Sequence, residues 1–175
     1  MVSIDNFSID PILIIAILAL IVSIVSIGIG VITLRTQQEY NRLSVRPIGI
    51  ITFSDYENNL AIKIKNAGMG PMILTSVETV DNSGINKNYP IDWMPSKYIW
   101  TNFRRNLQNH AIIAGDSIIL LEYSLDPQNK DLAKQRDEIR SILKNLTIRI
   151  KYMDIYNKQQ PDLIRSLDWF GRNIN

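Results

Sequence analysis

Two hydrophobic periods divide this chain. From 11 to 34 runs a stretch of 24 residues without a charge, apolar on every side. As a helix rising about 1.5 Å per residue it reaches about 36 Å, enough for a hydrocarbon core of roughly 30 Å. The pattern therefore predicts one membrane-spanning helix over 11–34, preceded by a short tail over 1–10. From 35 onward the residues turn polar with no helix breaker, so the helix is expected to continue as a juxtamembrane stalk over 35–46 until Pro47 stops it. The stalk lacks apolar a and d positions, which argues against a strong coiled coil.

Beyond Pro47 the period becomes two. Leu60, Ile62 and Ile64 alternate with Ala61, Lys63 and Lys65, and Leu146, Ile148, Ile150 and Tyr152 alternate with Thr147, Arg149, Lys151 and Met153. Each is the mark of a half-buried strand. Shorter apolar runs at 48–53, 72–80, 117–123 and 163–169 raise the expectation to at least six strands, separated by Gly, Asn, Asp and Pro. One helix interrupts the series, with Asp126 as N-cap, Pro127 at its first position and Leu132, Ile139, Ile142 and Leu143 on one side. Its charged face, including the pair Lys134 and Glu138, reads as solvated surface. The expected architecture is mainly β, a sandwich or barrel over 47–170 with one inserted helix, then a tail over 171–175.

Two turns carry a resemblance. Asn66-Ala67-Gly68-Met69-Gly70-Pro71, and Ile112-Ile113-Ala114-Gly115-Asp116-Ser117 before a later strand, resemble the Asn-x-Gly turn and the Pro-Gly-Glu-Ser-type turn of bacterial and archaeal immunoglobulin-like domains. Ala114 stands where the related turn often has Pro. The chain as a whole, with its ending Leu167-Asp168-Trp169-Phe170-Gly171-Arg172, is similar to a group of uncharacterised prokaryotic membrane-anchored proteins. The resemblance implies an immunoglobulin-like β-sandwich after the anchor and brings no activity or cofactor with it. From the residues alone, Gly68 and Gly70 suit positive φ or a tight bend, and Pro71 a strand start where no ladder donor is needed. The alternative for this turn is a backbone nest for an anion, with Lys63 and Lys65 nearby.

Charge sets the expected direction of insertion. Asp5 and Asp10 precede the apolar run, while all 19 Lys and Arg and the other 15 of the 17 acids follow it. Arg35, Arg42 and Arg46 lie just past the helix with only Glu39 among them, so the positive-inside rule places the N-terminus outside and the β domain in the cytoplasm. A cleaved signal peptide would want a basic leader and a shorter run, so the helix is expected to be retained. A net charge of +4 after the helix is too mild and too dispersed to argue for nucleic acid. The absence of cysteine excludes disulfides, thiolate metal sites and cysteine nucleophiles.

Within the helix, Ala16, Ala19, Ser23, Ser26, Gly30 and Thr33 recur at spacings of three and four. Small side chains let membrane helices approach closely, so this seam points to a homodimer or small oligomer; small residues are also common in spans generally.

No constellation amounts to an active site. His110 is the only histidine, in a polar stretch before a strand, and reads as an exposed loop residue. Asp126, Asn129 and Asp131 lack the glycine and terminal glutamate of a calcium loop. Asp154, Asp162 and Asp168 could form an acid pair near the last hairpin, but strand ends collect Asp for local hydrogen bonds.

The segment 89–105 has the most unusual composition. It holds five of the chain's 14 aromatics, Tyr89, Trp93, Tyr98, Trp100 and Phe103, beside Lys97, Arg104 and Arg105. Aromatics with arginine dominate binding hot spots, and Trp, Tyr and basic residues also favour a membrane surface. Trp93, Tyr98, Trp100, Phe103, Arg104 and Arg105 are thus the expected partner or membrane contact; the alternative is that the aromatics plug an open end of the sandwich. The expectation for the whole is a non-enzymatic membrane-tethered binding or sensing module without a cofactor or metal. A signalling effector whose β domain controls the membrane helices is its main rival, and a membrane-bound hydrolase the third.

Overall fold

A computed structural model describes residues 10–124, 128 and 131–172. The chain divides into two compact units, one ending at Leu43 and the other beginning at Ser44.

The first unit is helix α1, Pro11–Ser44. Its start follows from two residues: the Asp10 carboxylate accepts the Ile12 N–H at 2.9 Å, and Pro11 takes the first helical position, where a missing N–H costs nothing. The helix continues unbroken past the apolar run and through the polar stretch to Ser44. It is long and apolar enough to cross a membrane, and none of its residues is buried within the chain. The hydroxyls of Ser23, Ser26 and Thr33 donate to the carbonyls of Ala19, Val22 and Ile29 at 2.8, 2.8 and 2.9 Å, so the seam's polar groups are satisfied within the helix.

The second unit is mainly β, with two antiparallel sheets. Its strands are β1 (Gly49–Asp55), β2 (Asn59–Asn66), β3 (Met72–Asp81), β4 (Asn86–Lys87), β5 (Asn102–Phe103), β6 (Ala111–Ile112), β7 (Ser117–Ser124), β8 (Leu146–Met153) and β9 (Leu163–Ser166). The first sheet runs β1-β2-β7-β5; the second runs β4-β3-β8-β9, with β6 paired to the start of β3. Alternation puts Leu60, Ile62 and Ile64 of β2 and Leu146, Ile148, Ile150 and Tyr152 of β8 into one apolar cluster shared by both sheets. The expected last strand stops early. Leu167 is buried and a 3-10 turn, Asp168–Gly171, follows it, so Phe170 enters the core where an extended chain would have run on along the sheet.

Helix α2, Leu132–Leu143, buries Ile139 and Leu143. The N-cap expected at Asp126 and the proline after it lie outside the described residues. Arg140 is buried too, which its charge did not foretell: its guanidinium bonds the Asp55 carboxylate at the end of β1, with Nε at 2.9 Å, and both side chains are nearly or fully out of solvent.

The glycine turn has a different cause from the one expected. Positive φ occurs at Gly84 and Gly115, not at Gly68 or Gly70. A Cβ on Gly68 would lie 2.4 Å from the Arg46 carbonyl oxygen, and one on Gly70 only 1.8 Å from that of Val45. Glycine is needed because the incoming segment 45–48 is laid directly across the turn. Asn66, fully buried, locks the crossing. Its amide nitrogen donates to the Gly70 and Ile112 carbonyls at 2.7 and 3.0 Å, and its oxygen accepts the Gly68 and Ile48 N–H groups at 3.0 and 3.3 Å. The two turns that carry the resemblance are thereby one structure, joined also by Gly115 N–H to the Asn66 carbonyl at 2.9 Å.

Candidate interaction site on the aromatic connection

The long connection from β4 to β6 is fixed before it presents anything. Pro90–Trp93 forms a 3-10 turn in which the Asp92 carboxylate accepts the Tyr89 N–H at 3.2 Å. The Tyr89 hydroxyl accepts the Leu107 N–H at 3.1 Å, tying the two ends of the segment together. Between them β5 pairs with β7, placing Asn102 opposite Glu122 and Phe103 opposite Leu121.

Aromatic residues in this segment divide by direction. Tyr89, Trp93, Tyr98 and Trp100 are half-buried against the core. The Tyr98 and Trp100 rings both pack on Tyr123 of β7, with centroids 5.7 and 5.0 Å away. The Tyr98 hydroxyl donates to Glu138 of α2 at 2.6 Å, and the Lys97 ammonium pairs with the same carboxylate at 2.7 Å. Lys97 chiefly, then the Tyr98 hydroxyl, holds Glu138 below the ordinary carboxylate value, and Glu138 in turn raises Lys97. Burial pushes the Tyr98 hydroxyl up, and its bond to Glu138 adds to the shift. Glu138 therefore fastens the connection to α2, where a local pair with Lys134 was expected.

The outward set is Ile99, Phe103, Arg104 and Arg105. Ile99 is 92% exposed, between two aromatics that turn in. Phe103 is exposed, with the Arg105 guanidinium 5.8 Å from its ring centre; Arg105 also pairs with Asp92 at 2.7 Å. Arg104 makes no ion pair among the described residues. Lys87 lies over Trp93 at 4.4 Å and donates to the Asp92 carbonyl at 2.9 Å. The result is an apolar and cationic edge on an aromatic footing, suited to contact.

The edge begins at one end of the domain and runs back along β7, where Arg104 N–H bonds the Leu120 carbonyl at 3.2 Å. Thr101 N–H bonds the Glu122 carbonyl at 3.1 Å and the Thr101 hydroxyl accepts the Ser124 N–H at 2.9 Å, at the close of β7. The segment 45–48 meets the domain beside the other end of β7, near Ser117, which is five residues from Glu122, or about 17 Å along the strand.

The remaining candidates are held apart. Asp154 is buried, its carboxylate accepting the Tyr156 and Lys158 N–H groups at 2.9 Å each and the Gln160 side-chain amide at 3.2 Å, which is turn chemistry. His110 is exposed. The Ala67 and Gly68 N–H groups are taken by Ile48 and Asn66 and do not form an anion nest with Lys63 and Lys65. Asp126 and Asn129 lie outside the described residues. Among the described residues no three His, Asp or Glu side chains converge as a metal set.

No protein-family model matches the chain, and no curated protein matches it.

Ile99, the bonds of Glu138 to Lys97 and Tyr98, and the Asp55–Arg140 pair escaped the sequence reading. The first was legible in principle: an alternation that turns Tyr98 and Trp100 inward turns the residue between them outward. The others depend on partners 40 or more positions away.

Proposed function

We propose that this chain is a non-enzymatic, membrane-tethered binding or sensing module, whose aromatic connection contacts a protein partner through Ile99, Phe103, Arg104 and Arg105. One observation carries this: a 92% exposed isoleucine lies between two inward aromatics, beside an exposed phenylalanine and an arginine that makes no ion pair among the described residues. A lone solvated loop has no use for that footing, whereas a hot spot needs stiff apolar anchors and a nearby arginine. Tethering by α1 raises the effective concentration toward partners at the same membrane without high intrinsic affinity.

The fold behind this is an immunoglobulin-like sandwich of the resembling prokaryotic anchored proteins. Its support is topological. The order β1-β2-β7-β5 corresponds to strands A, B, E and D of that fold, and β3-β8-β9 to C, F and G, with β4 as an added edge. Two copies associate through Ala16, Ala19, Ser23, Ser26 and Gly30; a Cβ on Gly30 meets nothing within the chain, so its own packing gives no reason for a glycine there. The domain faces the cytoplasm, on the strength of Arg35, Arg42 and Arg46.

Photocrosslinking from position 99 in intact cells tests the contact. Discrete adducts from position 99, absent from a probe at Ser83 and lost with Arg104→Ala, are expected; no adduct above the Ser83 background sinks it. Since the chain has no cysteine, Ser83→Cys in the exposed turn after β3 reports direction: a membrane-impermeant maleimide should label it only after lysis.

A further inference from the structure

The opposite end of the domain presents a second surface. Three turns meet there: 67–71 after β2, 113–116 before β7 and 154–158 after β8. Asn66 joins the first two, and the pairing of Ile73 with Met153 brings the third beside them. Each holds a large apolar side chain out to solvent: Met69 is 77% exposed, Ile113 63%, Ile155 47% and Tyr156 56%. The turns are braced by buried Asn66 and Asp154, so these tips are held out by construction. Exposed Arg46, Lys65 and Lys158 surround them, against Asp116 and Asp162.

Chain connectivity says what can reach this end. Residues 35–44 are all that separate the apolar run from the incoming segment, about 15 Å of helix at most, and the headgroup layer occupies about 5–7 Å of that. The end of the domain that receives the chain is therefore tied within about 15 Å of the apolar run.

We propose that Met69, Ile113, Ile155 and Tyr156 rest in the headgroup layer of the bilayer that α1 crosses, with Arg46, Lys65 and Lys158 turned toward anionic phospholipid. Apolar tips ringed by basic residues are the chemistry of an interfacial contact. The domain is thereby seated at one end, while the aromatic edge starts from the other, where Thr101 meets the close of β7. This rests on the membrane-tether reading above, and the experiment separates the two.

The full chain carrying one environment-sensitive fluorophore, at Met69→Cys, Ile155→Cys, Ser83→Cys or Ile21→Cys, is reconstituted into phosphatidylcholine vesicles containing phosphatidylglycerol. Nitroxide lipids spin-labelled at the headgroup or mid-chain serve as quenchers. Loss of emission to the headgroup nitroxide at Met69 and Ile155, with none at Ser83 and mid-chain quenching at Ile21, is expected. Met69 and Ile155 labels as bright as Ser83 while Ile21 is quenched would overturn the seating and leave the tether standing. An unquenched Ile21 label would overturn both.

Discussion

The turns that receive the chain and the packing of the aromatic connection against α2 are built from different bonds. At the end where the chain arrives, Asn66 and Asp154 bond mainly to backbone N–H and C=O groups, and in the Asn66 turn Gly68 and Gly70 permit close approach. At the far end side chains bond one another: Arg140 with Asp55, Lys97 and Tyr98 with Glu138, and Tyr98 and Trp100 with Tyr123. Backbone partners are present whatever the side chains, so the first kind of end is set by a few residues of one turn. The second needs several distant positions to agree. It is also the kind that can be re-tuned by substitution.

Substitutions should separate the ends. The largest effect is expected for Arg140→Met, which leaves the Asp55 carboxylate buried without its cation and should cost about 3–5 kcal/mol; thermal unfolding of the full chain in detergent measures it, and a loss under 1 kcal/mol would mean the far end does not depend on this pair. Next comes Asn66→Ala. Stranding the Gly70 and Ile112 carbonyls and the Gly68 and Ile48 N–H groups should cost about 3 kcal/mol, reduced where water replaces the amide. It should also speed hydrogen exchange at Ile48 and Gly68 while leaving β5 protected; equal loosening at both ends would erase the distinction.

A subtler difference is expected with pH. Glu138 is held below its ordinary value of 4.5 in the folded chain, so its pairing contributes above that range and is lost as pH falls through the depressed folded value. Lys97 is raised, so its share is present below 10.5 and lost as pH rises through the raised folded value. The melting temperature of Glu138→Gln should therefore lie below that of the unaltered chain at pH 7 and converge with it on the acid side. A constant gap down through the acid limb would show that the carboxylate's charge is not what holds the connection. The smallest effect on stability is Ile99→Ser, within about 0.5 kcal/mol because the side chain covers nothing. Its expected consequence is loss of the crosslinked partner alone, and a large stability loss would make the residue part of the fold.

The same contrast explains what could be read in advance. Helix α1 was legible because a long charge-free apolar run is local, the long strands because a period of two is local, and Asn66 to Pro71 because turn chemistry is local. The cause of the glycines was not, since Val45 and Arg46 approach from 20 or more positions away. In the aromatic connection composition marked the segment, but the division into footing and edge follows from where Tyr123 and Glu138 stand. Arg140 looked like one more charge on a solvated helix face until the end of β1 supplied Asp55.

One crossing has a mechanical consequence. Ile48 is held through both of its backbone groups, its N–H by the Asn66 side chain and its carbonyl by Ala67 N–H at 2.7 Å. Tension applied through the preceding residues therefore reaches these two bonds before it reaches the β1–β2 ladder. A tug on the anchor meets a knot before a zipper.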